Sequence, residues 1–209
     1  MQPTTPGLPS TEVATRNDGS PEVRLERAAI TIGAIVAVLW AAEAIDWVLK
    51  HRLDRYGIRP RQVRGLSGIL FAPFLHAGFG HLLSNTVPIV ILGLLVILTA
   101  PNRFLLATLI VTVVSGLGAW LLGASNSVHI GASGVVFGWV GYLLFRGVFS
   151  RRAGQLILGV LVAVIYGGML IRGVLPNHQQ VSWQAHLFGA IGGALAAFLE
   201  RRKNEGKTT

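Results

Sequence analysis

Six stretches of the chain are almost continuously apolar, and polar or charged segments separate them. They cover Ala28–Val48, Leu82–Ala100, Phe104–Gly123, Gly134–Phe149, Gln155–Ile171 and Trp183–Leu199. A helix needs about 20 residues, with a range of roughly 17–25, to cross the hydrocarbon core of a bilayer. The pattern therefore predicts six membrane-crossing helices. The fourth and the last are short enough to be recessed from one face. Such a bundle uses most of the chain, so one all-α domain is expected over residues 27–200. Residues 1–26 are rich in Pro, Thr, Ser, Gly and Asn with alternating charges, and read as a disordered cytoplasmic tail. They lack the short apolar core and small-residue cleavage site of a signal peptide. Residues 201–209 read as a short basic cytoplasmic tail.

Composition supports a membrane protein. Only 13% of the 209 residues are charged and 52% are hydrophobic, whereas soluble domains carry about 25% charged residues. The absence of cysteine excludes disulfides and thiol chemistry. The net charge of +9 could mark a nucleic-acid binder, but its distribution argues against one. With a cytoplasmic N-terminus, eleven of the 18 basic residues fall inside and seven outside, a modest positive-inside bias. Six of the outer seven lie in the first external loop, about residues 50–80, where contact with anionic headgroups is expected.

Helix parity then brings the polar residues together. His81 and Asn85 open the second apolar helix, Ser133 opens the fourth and His186 lies near the start of the sixth. These three helices run in the same direction, so their N-terminal ends share a leaflet, the outer one if the N-terminus is inside. At about 1.5 Å of rise per residue, all four groups fall within a turn or two of that surface. Each has an ordinary explanation on its own. His81 and Asn85, at i and i+4, could be a capping or interhelical hydrogen-bond pair. Gly131-Ala132-Ser133-Gly134 is also what close helix packing demands, and His186 could be a hydrogen-bonded core histidine.

Together the residues point to chemistry, because strongly polar groups at membrane depth are costly and mark functional sites. Gly134, Gly138 and Gly141 form a stripe on the fourth helix, and His186, Gly189 and Gly193 share a face of the sixth. Close approach of the two would bring Ser133 and His186 within hydrogen-bond reach, the minimum for activating a serine nucleophile. Phe137, one turn beyond Ser133, is placed to support the imidazole ring. His81 and Asn85 can donate to a developing oxyanion. No carboxylate follows His186 until Glu200, about 21 Å further along the helix, so a Ser–His dyad is expected rather than a triad. Glu43 and Asp46 are expected to be structural partners of Arg52, Arg55 or loop backbone.

At these residues the chain resembles the rhomboid family of intramembrane serine proteases. The resemblance rests on Gly131-Ala132-Ser133-Gly134 followed by Gly138, on Ala185-His186-Leu187-Phe188-Gly189 followed by Gly193, and on His81-x-x-x-Asn85. It spans about Ala28–Leu199. It implies a six-helix bundle in the cell membrane, with a water-filled cavity opening to the extracytoplasmic side. Ser133 would be the nucleophile and His186 the general base and then acid. His81 and Asn85 would stabilise the oxyanion, with Gly131, Gly134, Phe137, Gly189 and Gly193 supporting the dyad by packing. The fifth helix and Leu175–Ser182 would form a gate and cap, and His76 would anchor a loop. The substrates implied are transmembrane proteins cut near the outer membrane face.

Two departures stand out. Leu66-Ser67-Gly68 occupies the place of a Trp-Arg pair common in bacterial relatives, and Phe137 stands where some members have tyrosine. The alternative reading is a non-catalytic rhomboid-like binder of membrane proteins, which predicts loss of Ser133 or His186. A transporter predicts internal repeats, and none is visible. No cofactor and no metal are expected, since there is no His-Glu-x-x-His and no carboxylate near the histidine layer. No nucleic-acid partner is expected, and the oligomeric state is left open.

Overall fold

The computed structural model describes residues 20–175 and 182–205. Most of the expected N-terminal tail, most of the Leu175–Ser182 cap and the end of the C-terminal tail lie outside the described residues. The described chain forms seven α-helices: α1 Pro21–Val48, α2 Gly68–Phe71, α3 Phe79–Thr99, α4 Phe104–Leu122, α5 Ser133–Ser150, α6 Ala153–Val174 and α7 Trp183–Glu205. Among these residues the only extended pairing is an isolated antiparallel bridge between Ile58 and His129. α1 starts seven residues before the apolar run because Ser20 caps it, accepting from the Val23 N–H at 3.3 Å, and Pro21 suits the first helical position.

Five helices, α1, α3, α4, α5 and α6, are long and apolar enough to cross a membrane. The expected count of six is thus not met by length and hydropathy alone. α7 has 23 residues, but Gln184, His186 and Glu200 interrupt it and glycine and alanine fill its middle. It lies against α5 and α4. α5 is the central helix, with 61% of its apolar window buried against 11% for α6. Its Val136, Trp139, Val140 and Tyr142 meet Leu82, Ile89, Leu92 and Val96 of α3 and Val111 of α4 in the main core. Large apolar side chains are left exposed on the outer helices, such as Ile30 and Val38 of α1 and Val164 and Ile165 of α6. A band of this kind needs lipid around it.

α5 and α7 approach backbone to backbone. A Cβ at Gly193 would collide with the Gly138 carbonyl oxygen and stand 2.5 Å from the Tyr142 nitrogen, and one at Gly189 would collide with the Gly134 carbonyl oxygen. Gly134 and Gly138 also make room for α4, where added Cβ atoms would strike Ser115 and Val111. The α5 glycines thus admit two neighbours at once. At the far end, Tyr142 Oη donates to Glu200 at 2.5 Å and Arg146 Nε donates to it at 3.2 Å. Glu200 is therefore committed to an interhelical clamp remote from His186.

The first loop is fastened rather than loose. Trp120 Nε1 donates to the Gln62 carbonyl at 2.9 Å, and Arg61 reaches the Leu121 carbonyl at 2.8 Å and Ser125 at 2.7 Å. These contacts tie the loop to the end of α4 without a Trp-Arg pair in the loop. Glu43 and Asp46 are buried at the end of α1. Of the expected partners, Asp46 takes the loop backbone and not an arginine: it accepts from the Leu53 N–H at 2.7 Å and faces His51, while Arg55 donates to Tyr56. The loop residue Asp54 lies close to both acids, and burial together with repulsion from Asp46 pushes its carboxyl up to about 6.

Candidate active site

Ser133 is the first residue of α5, and the loop before it is held from three sides. The Gly131 N–H donates to the Ala72 carbonyl at 2.9 Å, His129 and Ile58 exchange backbone hydrogen bonds, and the Ala132 N–H donates to His76 Nε2 at 3.4 Å. Gly131 has φ +116, a conformation open to glycine and costly for other residues, and a Cβ there would stand 2.7 Å from the His81 ring. The loop's shape and the seat of His81 thus depend on the same glycine.

His186 Nε2 lies 2.7 Å from Ser133 Oγ, and His186 Nδ1 lies 2.9 Å from the Gly173 carbonyl. A carbonyl only accepts, so Nδ1 carries the proton and Nε2 presents its lone pair to the serine hydroxyl. The Gly173 carbonyl is available because it lies in the last turn of α6, where carbonyls have no intrahelical partner. Phe137 stacks on the imidazole with centroids 4.0 Å apart and planes 9° from parallel. One histidine is thus held by a backbone acceptor, a ring face and the serine.

His81 Nδ1 accepts from the Ala77 N–H at 3.3 Å, which leaves the proton on Nε2. Asn85 is buried and gives one amide N–H to the His81 carbonyl at 2.8 Å. No hydrogen bond joins either of them to Ser133 in this state. A small open pocket reaches Ser133 from the α4 side and is lined by Ser133, Gly131, Ser115, His129, Ser182 and Ile58. His129 bridges Ser127 at 2.9 Å and Ser182 at 2.7 Å, linking the loop before α5 to the start of α7. Burial lowers its pKa and favours the neutral ring. Ser115 donates to the Ala185 carbonyl at 2.8 Å, fixing α7 beside His186.

Gly173, His129, Ser182 and Ser115 were not singled out by sequence. Gly173 acts through its backbone, and the others are ordinary polar residues that make contacts across the fold, 53 residues apart for His129 and Ser182 and 70 for Ser115 and Ala185. A histidine also lies beside carboxylates, at His51, away from the Ser133 layer.

His76 is fully buried in the loop before α3, and burial, reinforced by His81, lowers its pKa to about 4. The unfolded chain takes up this proton near pH 6.5. The folded chain stays neutral until about pH 4, so the contribution is complete above pH 6.5 and is lost as pH falls towards 4. The loss amounts to at most about 3 kcal/mol. Thermal unfolding in detergent at pH 7.5 and 4.5 is expected to show a smaller gap in His76→Gln than in the parent. An unchanged gap would assign the acid lability to other groups.

The rhomboid domain model matches residues 61–203, more than half of the chain, from within the first loop to near the end of α7. The chain belongs to the rhomboid family. It is 45% identical over 177 residues to the uncharacterized protein Rv1337 of Mycobacterium tuberculosis, covering 81% of this chain and 73% of that one. The Mycobacterium leprae protein ML1171 is 44% identical over 178 residues, covering 81% and 70%. The Bacillus subtilis protein named "Putative rhomboid protease YdcA" is 31% identical over 188 residues, covering 88% and 93%. Family membership and the apolar helices make this rhomboid a multi-pass membrane protein.

Proposed function

We propose that this rhomboid is an intramembrane serine endopeptidase in which Ser133 and His186 form a catalytic dyad. The observation that carries the reading is the 2.7 Å contact between His186 Nε2 and Ser133 Oγ, with the opposite ring nitrogen bound to the Gly173 carbonyl. As a substrate carbonyl carbon meets Ser133 Oγ, the hydroxyl proton passes to Nε2. The imidazolium then returns it to the leaving amine as the peptide bond breaks. Water attacks the acyl-enzyme with the same proton traffic. Gly173 has the orienting part of a triad carboxylate but brings no full charge, so it stabilises the imidazolium less.

The oxyanion would be met by the Ser133 backbone N–H, at the positive end of α5, and by the Nε2–H of His81. Asn85 has a second amide N–H beyond the one given to His81. A modest side-chain movement on substrate binding would bring these donors to the carbonyl. In this reading α7 is the sixth span, its polar start facing the cavity instead of lipid. Both termini are cytoplasmic and the cavity opens on the extracytoplasmic side, where single-span protein substrates enter. A fluorophosphonate probe is expected to label the detergent-solubilised protein at Ser133. The rival reading, a non-catalytic binder, predicts an unlabelled serine.

Gly173 is a positioning residue in this scheme. A Cβ there would collide with Phe137 Cζ and stand 2.9 Å from His186 Nδ1. Displacement of the ring by a fraction of an ångström to 1 Å costs up to about 10²-fold in rate. Gly173→Ala is expected to lower kcat by that order with KM little changed. A change confined to KM would remove Gly173 from this role.

A further inference from the structure

The outer-loop end of α1 holds a cluster that the dyad does not use. Asp46 is 1% exposed. Its Oδ1 accepts from the Leu53 N–H, but its Oδ2 is buried without a hydrogen-bond partner. That oxygen faces His51 Nδ1 at 3.6 Å, and the same nitrogen lies 3.9 Å from Asp54 Oδ2. One donor atom from each of Asp46, His51 and Asp54 lies within 4.8 Å of the other two. Behind them Glu43, also 1% exposed, has a carboxylate oxygen with no hydrogen-bond partner.

These acids are not neutralised by the basic loop above them. Among the described residues no lysine or arginine forms an ion pair with Glu43, Asp46 or Asp54. Arg55 is engaged with Tyr56, Arg61 with Leu121 and Ser125, and Arg64 with Gln62. Buried carboxylates are strongly disfavoured unless they are neutralised, and among the described residues the half-exposed His51 is the one basic side chain that faces Asp46 and Asp54. The backbone meanwhile turns to bring a metal-ligating side chain to them. Lys50 and His51 both adopt left-handed conformations, with φ 55 and 57, and the His51 N–H donates to the Asp46 carbonyl at 2.8 Å.

We propose that Asp46, His51 and Asp54 form a binding site for a divalent transition-metal ion of the zinc class. Two carboxylate oxygens and one imidazole nitrogen are a zinc donor set, whereas calcium and magnesium favour oxygen alone. Zinc bonds of about 2.0–2.2 Å in tetrahedral geometry place donors about 3.3 Å apart. The separations of 3.6 and 3.9 Å from His51 Nδ1 would have to close by about 0.3 and 0.6 Å, and the two carboxylate oxygens, within 4.8 Å of each other, would have to draw together as the ion binds. Water would complete the coordination, and Glu43 would contribute charge from behind. The ion would staple the start of the first loop to α1, a structural role independent of the proposed protease reaction. It also departs from the sequence-based expectation of no metal, which rested on the lack of a His-Glu-x-x-His and of carboxylates near the histidine layer.

The test is calorimetric titration of the full-length protein in detergent with ZnCl₂ after stripping with EDTA, alongside thermal unfolding with and without zinc. One zinc per chain is expected, with a rise of several degrees in the unfolding midpoint. His51 and Asp54 are the more accessible ligands, so His51→Ala and Asp54→Asn test the site with little risk to the fold. Each is expected to weaken zinc binding by about 10²-fold or more and to remove the zinc-dependent shift. His129→Ala, which changes a histidine elsewhere, is expected to keep both. Absence of zinc binding, zinc binding unaffected by both ligand substitutions, or equal affinity for calcium or magnesium would overturn the proposal.

Discussion

Ser133→Ala and His186→Ala are each expected to abolish fluorophosphonate labelling and to lower cleavage of a single-span substrate by roughly 10⁴-fold or more. In the proposed dyad Ser133 would supply the oxygen that attacks the carbonyl, and His186 Nε2, 2.7 Å away, would accept its proton. Without the imidazole, the serine must lose its proton to scarce water at membrane depth. Without the serine, the imidazole has no protein nucleophile to activate. The proposed dyad acts as a unit, so the double variant is expected to be no worse than the more damaging single one. Removing Oγ leaves no large cavity, so Ser133→Ala is also expected to unfold near the parent's midpoint. Near-wild-type cleavage in either single variant would end the dyad mechanism.

Gly193→Ala is expected to be among the most destabilising single-methyl changes in the chain, by about 3 kcal/mol or more. Its new Cβ would press on the Gly138 carbonyl oxygen and the Tyr142 backbone nitrogen. Both belong to the central helix backbone and cannot rotate aside as a side chain would, so α7 must move away from α5. That movement would also lengthen the contact between His186 and Ser133, two turns along the same interface. Gly167→Ala provides the contrast, because nothing lies within 4 Å of a Cβ there. Alanine favours helix by about 1 kcal/mol over glycine, so Gly167→Ala is expected to match or exceed the parent's stability. Thermal unfolding of the two variants in one detergent measures the difference, and equal midpoints would refute the close-approach argument.

Much of this was legible along the chain because hydrophobic runs and helical rise are local properties. The runs located the long helices to within a few residues, except that α1 began earlier, at its Ser20 cap and Pro21, and α7 ran six residues past its apolar run to Glu205. Helix parity placed Ser133, His186, His81 and Asn85 at one depth before any packing was known. The glycines announced a close approach, and Phe137 was assigned to the imidazole by its position one turn from Ser133. The count of membrane spans was less secure, because α7 combines the length of a span with polar groups that face the protein.

Sequence alone determined where the long helices run, which of their ends carry the polar groups and which faces can meet closely. These follow from apolar periodicity, residue type and a rise of about 1.5 Å per residue. Only the tertiary structure decided what each reactive group touches. The acceptor for His186 is a main-chain carbonyl, which every residue possesses and no side-chain pattern reveals. Glu200 goes to Tyr142 and Arg146 at the opposite end of the bundle. Asp46 meets His51 and Asp54 instead of the arginines beside them, because the left-handed turn at Lys50 and His51 folds the chain back onto α1. Those choices depend on how separated backbones converge, and convergence is a property of the packed molecule.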